Sequence, residues 1–88
     1  MSGNMKKIIF SKHALEQMRE RGAQQHEVEI AIRTGEEFPA KKNRRAFRQN
    51  FQYDSQWGNK LYRTKQIVPI VIEDPETLVV VTVYVFCF

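Results

Sequence analysis

The chain has 88 residues, of which 42% are hydrophobic and 27% are charged, proportions that exclude a disordered chain and leave room for a single domain. The single cysteine, Cys87, excludes an internal disulfide and a zinc site built from several cysteines. The net charge of +4 and the pI of about 9.5 favour a polyanionic partner, nucleic acid above all.

Two helices are predicted near the start of the chain. Residues 6–10 form a short strand or an extended lead-in, and the first helix covers about residues 12–21, between the N-cap Ser11 and the terminating Gly22. Its apolar stripe is made of Ala14, Leu15 and Met18. Residues 24–34 predict a second helix, ended by Gly35. Because almost no linker separates the helices, we expect a tight hairpin or corner.

After Gly35 the hydrophobic period changes to two, which is typical of strands. Residues 44–53 and 61–72 predict two strands, separated by a turn over residues 54–59. Pro69 favours an edge or a bulge for part of the second strand. Residues 74–77 predict another turn, and residues 78–88 a strand so apolar that we expect both of its faces to be covered.

These elements predict an α+β fold in one domain over residues 1–88. Two N-terminal helices would pack on one face of a twisted antiparallel sheet of three to four strands, because neither layer can otherwise bury its apolar side. The start of the chain lacks the pattern of a signal peptide, and the apolar run at residues 78–88 is too short to span a bilayer. We therefore expect a cytoplasmic protein without membrane contact.

The first helix carries His13 near its start and two arginines near its end. Histidine exchanges protons near neutral pH, and arginine binds phosphate. On a helical wheel, Arg21 flanks the apolar stripe on the side towards His13, whereas Arg19 lies on the opposite flank. For His13 alone, the simpler alternative is a ring that packs on the sheet or caps the turn.

The last strand and the strand before it add three further candidates. Thr82 and Tyr84 are two residues apart and should share a face, although both hydroxyls could merely satisfy nearby polar groups. A hairpin would bring Lys65 roughly opposite Tyr84 or a neighbour; the alternative for Lys65 is a solvated sheet face. Cleavage of RNA needs a base, an acid and a cation, which these side chains offer without metal or other cofactor. The expected catalytic set is His13, Arg21, Lys65, Thr82 and Tyr84.

A second group of basic side chains follows the predicted helices and continues into the predicted strand at residues 44–53. No acidic residue occurs between Phe38 and Tyr53, and the segment is typical of a nucleic-acid contact or of an edge strand protected from aggregation by charge. The candidate nucleic-acid-binding residues are Lys41, Lys42, Arg44, Arg45 and Arg48, with Arg19 from the first helix.

Four short patterns resemble a family of small bacterial and phage proteins similar to the RelE/barnase-like (BECR-fold) ribonuclease toxins. They are Ser11-Lys-His-Ala, Met18-x-x-Arg21-Gly22, Val28-x-x-Ala31-Ile32-x-x-Gly35 and Val80-Val-Thr-Val-Tyr84. The resemblance implies two helices on a four-stranded antiparallel sheet, with an RNA-cleaving cleft on its exposed face. It also implies functional roles for His13, Arg21, Thr82, Tyr84 and Lys65, and a cognate antitoxin or immunity protein as partner.

Three interpretations follow. The first is a toxin-type, metal-independent endoribonuclease that cleaves RNA through 2′-hydroxyl attack. The second is a non-catalytic nucleic-acid-binding or protein-interaction module of the same fold. The third is a domain without a nucleic-acid role that assembles through its apolar last strand.

Overall fold

A computed structural model describes residues 6–88, apart from the side chain of Trp57; the first five residues of the expected domain lie outside this range. Both predicted helices are confirmed, as α1 (Lys12–Arg21) and α2 (Gln25–Thr34). The described strands are β1 (Lys7–Phe10), β2 (Glu36–Pro39), β3 (Arg44–Trp57), β4 (Lys60–Glu73) and β5 (Thr77–Cys87).

The described strands form one mixed sheet in the order β1-β5-β4-β3-β2. β1 pairs with β5 in parallel, and the other neighbours are antiparallel. The fold is α+β, but the prediction of a purely antiparallel sheet of three to four strands was wrong. The two helices do not precede the sheet in the chain, because they lie between β1 and β2. Of the alternatives for residues 6–10, the short strand is the one observed, as β1. β2 was missed, because four residues are too few for a period of two to stand out.

Local signals explain where α1 begins and ends. The Ser11 hydroxyl accepts a hydrogen bond from the backbone N–H of Ala14 at 3.0 Å. Gly22 ends the helix in the left-handed region, at φ 79°, where glycine carries no Cβ penalty. The backbone N–H of Ser11 donates to the carbonyl of Val80, so the start of α1 is attached to β5.

The core lies between the two helices and one face of the sheet. α1 packs on β5, and α2 packs on β3 and β4. The largest fully buried side chains include Val28 and Ile32 of α2, Ile67 and Val71 of β4, and Leu78, Val80 and Val83 of β5. β5 lies inside the sheet, but the opposite face of the strand is open, because Tyr84 and Phe86 are exposed there.

Two irregularities change the predicted strand boundaries. β3 continues through most of the expected turn at residues 54–59, after a register shift near Asp54, whose φ is 46°. Pro69 lies in the central strand β4 instead of at an edge, next to a register shift between Ile70 and Val71. Pro69 itself pairs with Val83, and the extra residue of the shift, Val81, belongs to β5.

Candidate functional site

One face of α1 carries His13, Gln17 and Arg21, which are spaced four residues apart. The second and third of these side chains contact β5, as described below. The side chain of His13 is exposed and makes no hydrogen bond or ion pair with any residue from 6 to 88. His13 lies one turn before Gln17 and two turns before Arg21, or about 12 Å along the helix axis.

Gln17 fastens α1 to the middle of β5. Its amide oxygen accepts hydrogen bonds from the hydroxyl of Thr82 and, at 3.1 Å, from the backbone N–H of Val83. The Thr82 hydroxyl is therefore engaged within the protein. Gln17 was not among the predicted site residues, although its spacing of four residues from both His13 and Arg21 was a usable signal.

Arg21 reaches the same strand one turn later. Its Nη1 donates to the carbonyl of Val83 at 2.8 Å, and its guanidinium carbon lies 5.4 Å from the centroid of the Tyr84 ring. Tyr84 remains 44% exposed. Since a guanidinium has five N–H donors, Arg21 keeps donors for a bound anion.

We call His13, Gln17, Arg21, Thr82 and Tyr84 the α1–β5 site. A cleft of about 380 Å³ adjoins it, lined by Arg21, Tyr62, Val85 and Cys87. The site thus offers a fixed cation beside an exposed phenol, with an exposed imidazole further along the same helix face. That set is suited to binding a phosphate and to proton transfer near it.

The structure does not bring Lys65 to Tyr84. Lys65 pairs with Cys87, whereas Tyr84 pairs with Val68. Lys65 is only 8% exposed, and it lies under the corner between the two helices. Its Nζ is 3.0 Å from a carboxylate oxygen of Glu27 and donates to the carbonyl of Gly22 at 2.9 Å. Through these contacts, Lys65 connects β4 to the end of α1 and to the start of α2.

The predicted basic segment divides into paired and unpaired cations. Arg45 donates to both carboxylate oxygens of Glu37, at 2.8 and 2.9 Å, and to Glu73 at 2.9 Å. Arg48 donates to Glu36 at 2.9 Å. The carboxylates come from β2 and from the end of β4, so the absence of acidic residues within the segment did not reveal them.

The arginines also change the titration of their partners. The hydrogen bond from Arg48 lowers the pKa of Glu36, and the hydrogen bond from Arg45 lowers the pKa of Glu37. For Glu73, the pKa is lowered first by the hydrogen bond from Lys6 and then by the charges of Lys6 and Arg45. All three carboxylates therefore favour their charged forms in the folded protein.

The turn between β2 and β3 and the first residue of β3 carry the remaining cations of the segment. Lys41, Lys42 and Arg44 are exposed and form no ion pair with the described residues. Lys42 and Asn43 both have a φ of 60°, as in the tight turns of β-hairpins. Arg19, on the other flank of α1, is also exposed and without an ion pair in the described part of the chain.

No group of three or more His, Cys, Asp or Glu side chains within residues 6–88 is placed to hold a metal ion. None of the helices found in that range has the length and apolar character needed to cross a membrane.

Comparison with known proteins gives one match. A family model described as a domain of unknown function, DUF4258, matches residues 10–85. The matched range contains α1 and β5 up to Val85, and hence every member of the α1–β5 site. Searches of curated proteins and of solved structures found no match. Because the family model covers most of its length, the chain belongs to the DUF4258 family.

Proposed function

We propose that this protein is a toxin-type, metal-independent endoribonuclease of the RelE/barnase-like kind, acting on RNA in the cytoplasm. The observation that carries the proposal is the position of Arg21, which is held against Tyr84 on the helix face that also presents His13. A cognate antitoxin or immunity protein belongs to the same proposal.

The proposed reaction needs no group beyond the α1–β5 site and the RNA. His13 takes the proton from a 2′-hydroxyl, and the resulting oxygen attacks the adjacent phosphorus. The bond from phosphorus to the 5′-oxygen breaks, and Tyr84 donates its phenolic proton to that oxygen. Arg21 stabilises the charge on the phosphate oxygens. The products are a 2′,3′-cyclic phosphate and a 5′-hydroxyl, and proton exchange with water restores both side chains.

Side-chain contact supports the shared role of Arg21 and Tyr84, and the length of α1 sets what the role of His13 requires. Arg21 and Tyr84 are in contact, so they act at one phosphate. His13 lies about two helical turns away, so it must approach the bound strand from the direction of Gln17. Its exposed side chain has no hydrogen bond within the described range that would prevent this.

Cleavage of 5′-labelled RNA in EDTA tests the proposal. We expect cyclic-phosphate products, and a rate at least about 100-fold lower in His13→Ala and in Tyr84→Phe, the usual loss when a general acid or base is removed. His26→Ala is the matched control, because this second histidine is exposed on α2, outside the site. Absence of cleavage, or equal rates in both site variants and the wild type, would refute the proposal.

A second candidate function, non-catalytic nucleic-acid binding, is favoured by the unpaired cations of the β2–β3 turn. Lys41, Lys42 and Arg44 form no ion pair within residues 6–88 and can contact phosphates, whereas Arg45 and Arg48 are held by carboxylates. Phosphate contacts make the affinity fall with added salt, in proportion to their number.

Filter binding at several salt concentrations tests this candidate. Replacement of these three cations by alanine should make the affinity less dependent on salt. The number of phosphate contacts inferred from that dependence should fall by up to about three. The double variant Glu36→Gln, Arg48→Gln removes an ion pair without a change in net charge, and it should bind RNA like the wild type. An unchanged salt dependence in the triple variant would exclude this turn as the contact.

A further inference from the structure

Past Val83, the outer side of β5 has no backbone partner among residues 6–88. Phe88 exchanges hydrogen bonds with Thr64 at 2.8 and 3.0 Å, so the even-numbered residues from 84 to 88 direct their backbone groups towards β4. The odd-numbered residues from 83 to 87 therefore direct theirs outwards. Gln17 and Arg21 bind those of Val83, and β1 pairs with β5 no further than Val80.

Val85 and Cys87 consequently leave two N–H and two C=O groups without a partner among the described residues. We call residues 85–88 the open edge. An edge of this kind is a template for another strand.

The open edge also lacks the features that usually prevent strand addition. Natural edges carry charges or proline. The outermost strand β2 has Glu36, Glu37 and Pro39, and the short β1 begins with Lys7. The open edge reads Val-Phe-Cys-Phe, and Phe86 and Phe88 are 51% and 58% exposed.

An added strand would find a different surface on each side of the sheet. On the helix side lies the cleft that Arg21, Tyr62, Val85 and Cys87 line. On the opposite side lies the aromatic row of β5. Since successive residues of a strand alternate between faces, one set would enter the cleft and the other would cover the aromatic side chains.

The charges beside the open edge indicate which residues enter the cleft. Arg21 lines it, and the Nζ of Lys60 lies 5.5 Å from the ring centroid of Tyr62, another lining residue. A carboxylate in the cleft complements this charge, and apolar side chains complement the aromatic row.

We propose that the open edge binds an extended segment of another polypeptide as an added β-strand, with acidic residues in the cleft and apolar residues on the aromatic row. This docking does not depend on RNA cleavage. A strand bound here would cover Arg21 and so close the α1–β5 site.

The test uses a fluorescein-labelled peptide, Val-Glu-Val-Glu-Val, and fluorescence anisotropy. We expect saturable binding, since main-chain hydrogen bonds supply affinity in strand addition. Two further peptides are N-methylated, one at its odd-numbered residues and the other at its even-numbered residues. Since alternate N–H groups of a strand point to opposite sides, only one of these two peptides loses the N–H groups that face β5. That peptide should bind at least tenfold more weakly, and the other like the parent. Equal affinities of the two methylated peptides would overturn the proposal.

Protein variants test the same contact from the other side. Val85→Pro removes an outward N–H without loss of a hydrogen bond to β4, so it should weaken binding at least tenfold with an unchanged circular dichroism spectrum. Arg21→Gln should weaken the Glu peptide but not its Gln analogue. No saturable binding, or a stable wild-type dimer in ultracentrifugation that Val85→Pro dissociates, would overturn the proposal, the latter because a second copy would then occupy the edge.

Discussion

The guanidinium of Arg21 lies over the ring of Tyr84, 5.4 Å from its centroid, while it donates to the Val83 carbonyl. A cation within about 6 Å of an aromatic centroid is attracted by the ring. The hydrogen bond fixes the arginine and the ring contact orients it, so the strand backbone and the aromatic side chain together hold one charge in place. A lysine at position 21 could not reproduce both contacts.

Replacement of Arg21 by lysine tests whether this geometry matters beyond the charge. We expect Arg21→Lys to lower the rate of RNA cleavage by about 10- to 100-fold, because an ammonium lacks the planar set of donors that holds a phosphate. Arg19→Lys is the matched control, since Arg19 lies in the same turn of α1 on the other flank. Equal rates in Arg21→Lys and the control would show that only the charge is required.

Lys65 is predicted to act in stability instead of catalysis. Lys65→Met leaves the carboxylate of Glu27 without its ion partner in a nearly buried place. Loss of one member of such a pair costs about 3 kcal/mol. Urea unfolding should therefore show a free energy of unfolding that is lower by that amount.

The double variant Lys65→Met, Glu27→Gln gives the control for Lys65. It removes the unpaired charge, so it should regain part of the lost stability. Where both variants remain folded, their RNA cleavage should match the wild type. A large loss of RNA cleavage in Lys65→Met that is still folded would contradict this prediction and indicate a role of Lys65 in catalysis.

The two helices and three of the strands could be predicted because their signals are local. A capping serine, terminating glycines and a period of two lie within the elements that they define. β1 is different, because its four residues gain their structure from parallel pairing with β5, some seventy positions later in the chain. No pattern within residues 7–10 could indicate that partner.

A single bulge explains why the pairing partner of Lys65 could not be predicted from the position of the turn. Near the turn, Val71 pairs with Val80, and continuation of that register would place Lys65 opposite Phe86, on the face of Tyr84. The shift between Ile70 and Val71 moves the partner of Lys65 to Cys87. The extra residue, Val81, lies in β5, so it turns Tyr84 and Phe86 to the face opposite the helices. Lys65 keeps the face of Ile67 and Val71 in β4, towards the helices.

The ion pairs of β2, β3 and β4 predict a loss of stability in acid. The pKa values of Glu36, Glu37 and Glu73 are lowered in the folded protein from the usual 4.5. At lower pH the unfolded chain therefore binds more protons than the folded one. The stabilisation is complete above about pH 4.5 and is lost as the pH falls through the lowered values.

Glu37→Gln should make the fall in stability between about pH 5 and pH 3 less steep, because one of the shifted carboxyls is removed. The measurement is the midpoint of urea unfolding across this range. Glu76→Gln is the control, since Glu76 lies in the β4–β5 turn and forms no ion pair with a described residue. An equal change in both variants would contradict the assignment.

Gly22 and Gly35 both end helices, yet they should respond differently to alanine. At Gly22 the left-handed φ of 79° causes a strain of about 1 kcal/mol, and a Cβ would have no neighbour within 4 Å. Gly35 has an ordinary φ of −78°. A Cβ there would lie 2.4 Å from the carbonyl oxygen of Ala31 and 2.5 Å from that of Arg48. Both contacts are with backbone, so relief requires α2 and β3 to separate.

We therefore expect Gly35→Ala to lower the free energy of unfolding by about 3 kcal/mol, the upper part of the range for overpacking, and Gly22→Ala by about 1 kcal/mol. Urea unfolding of the two variants gives the comparison. Gly22→Asn serves as the control for backbone strain, because asparagine tolerates the left-handed region and should cost less than alanine there. If Gly35→Ala proved as mild as Gly22→Ala, the two close backbone contacts of a Cβ at Gly35 would be refuted, since a Cβ at Gly22 has no such contact.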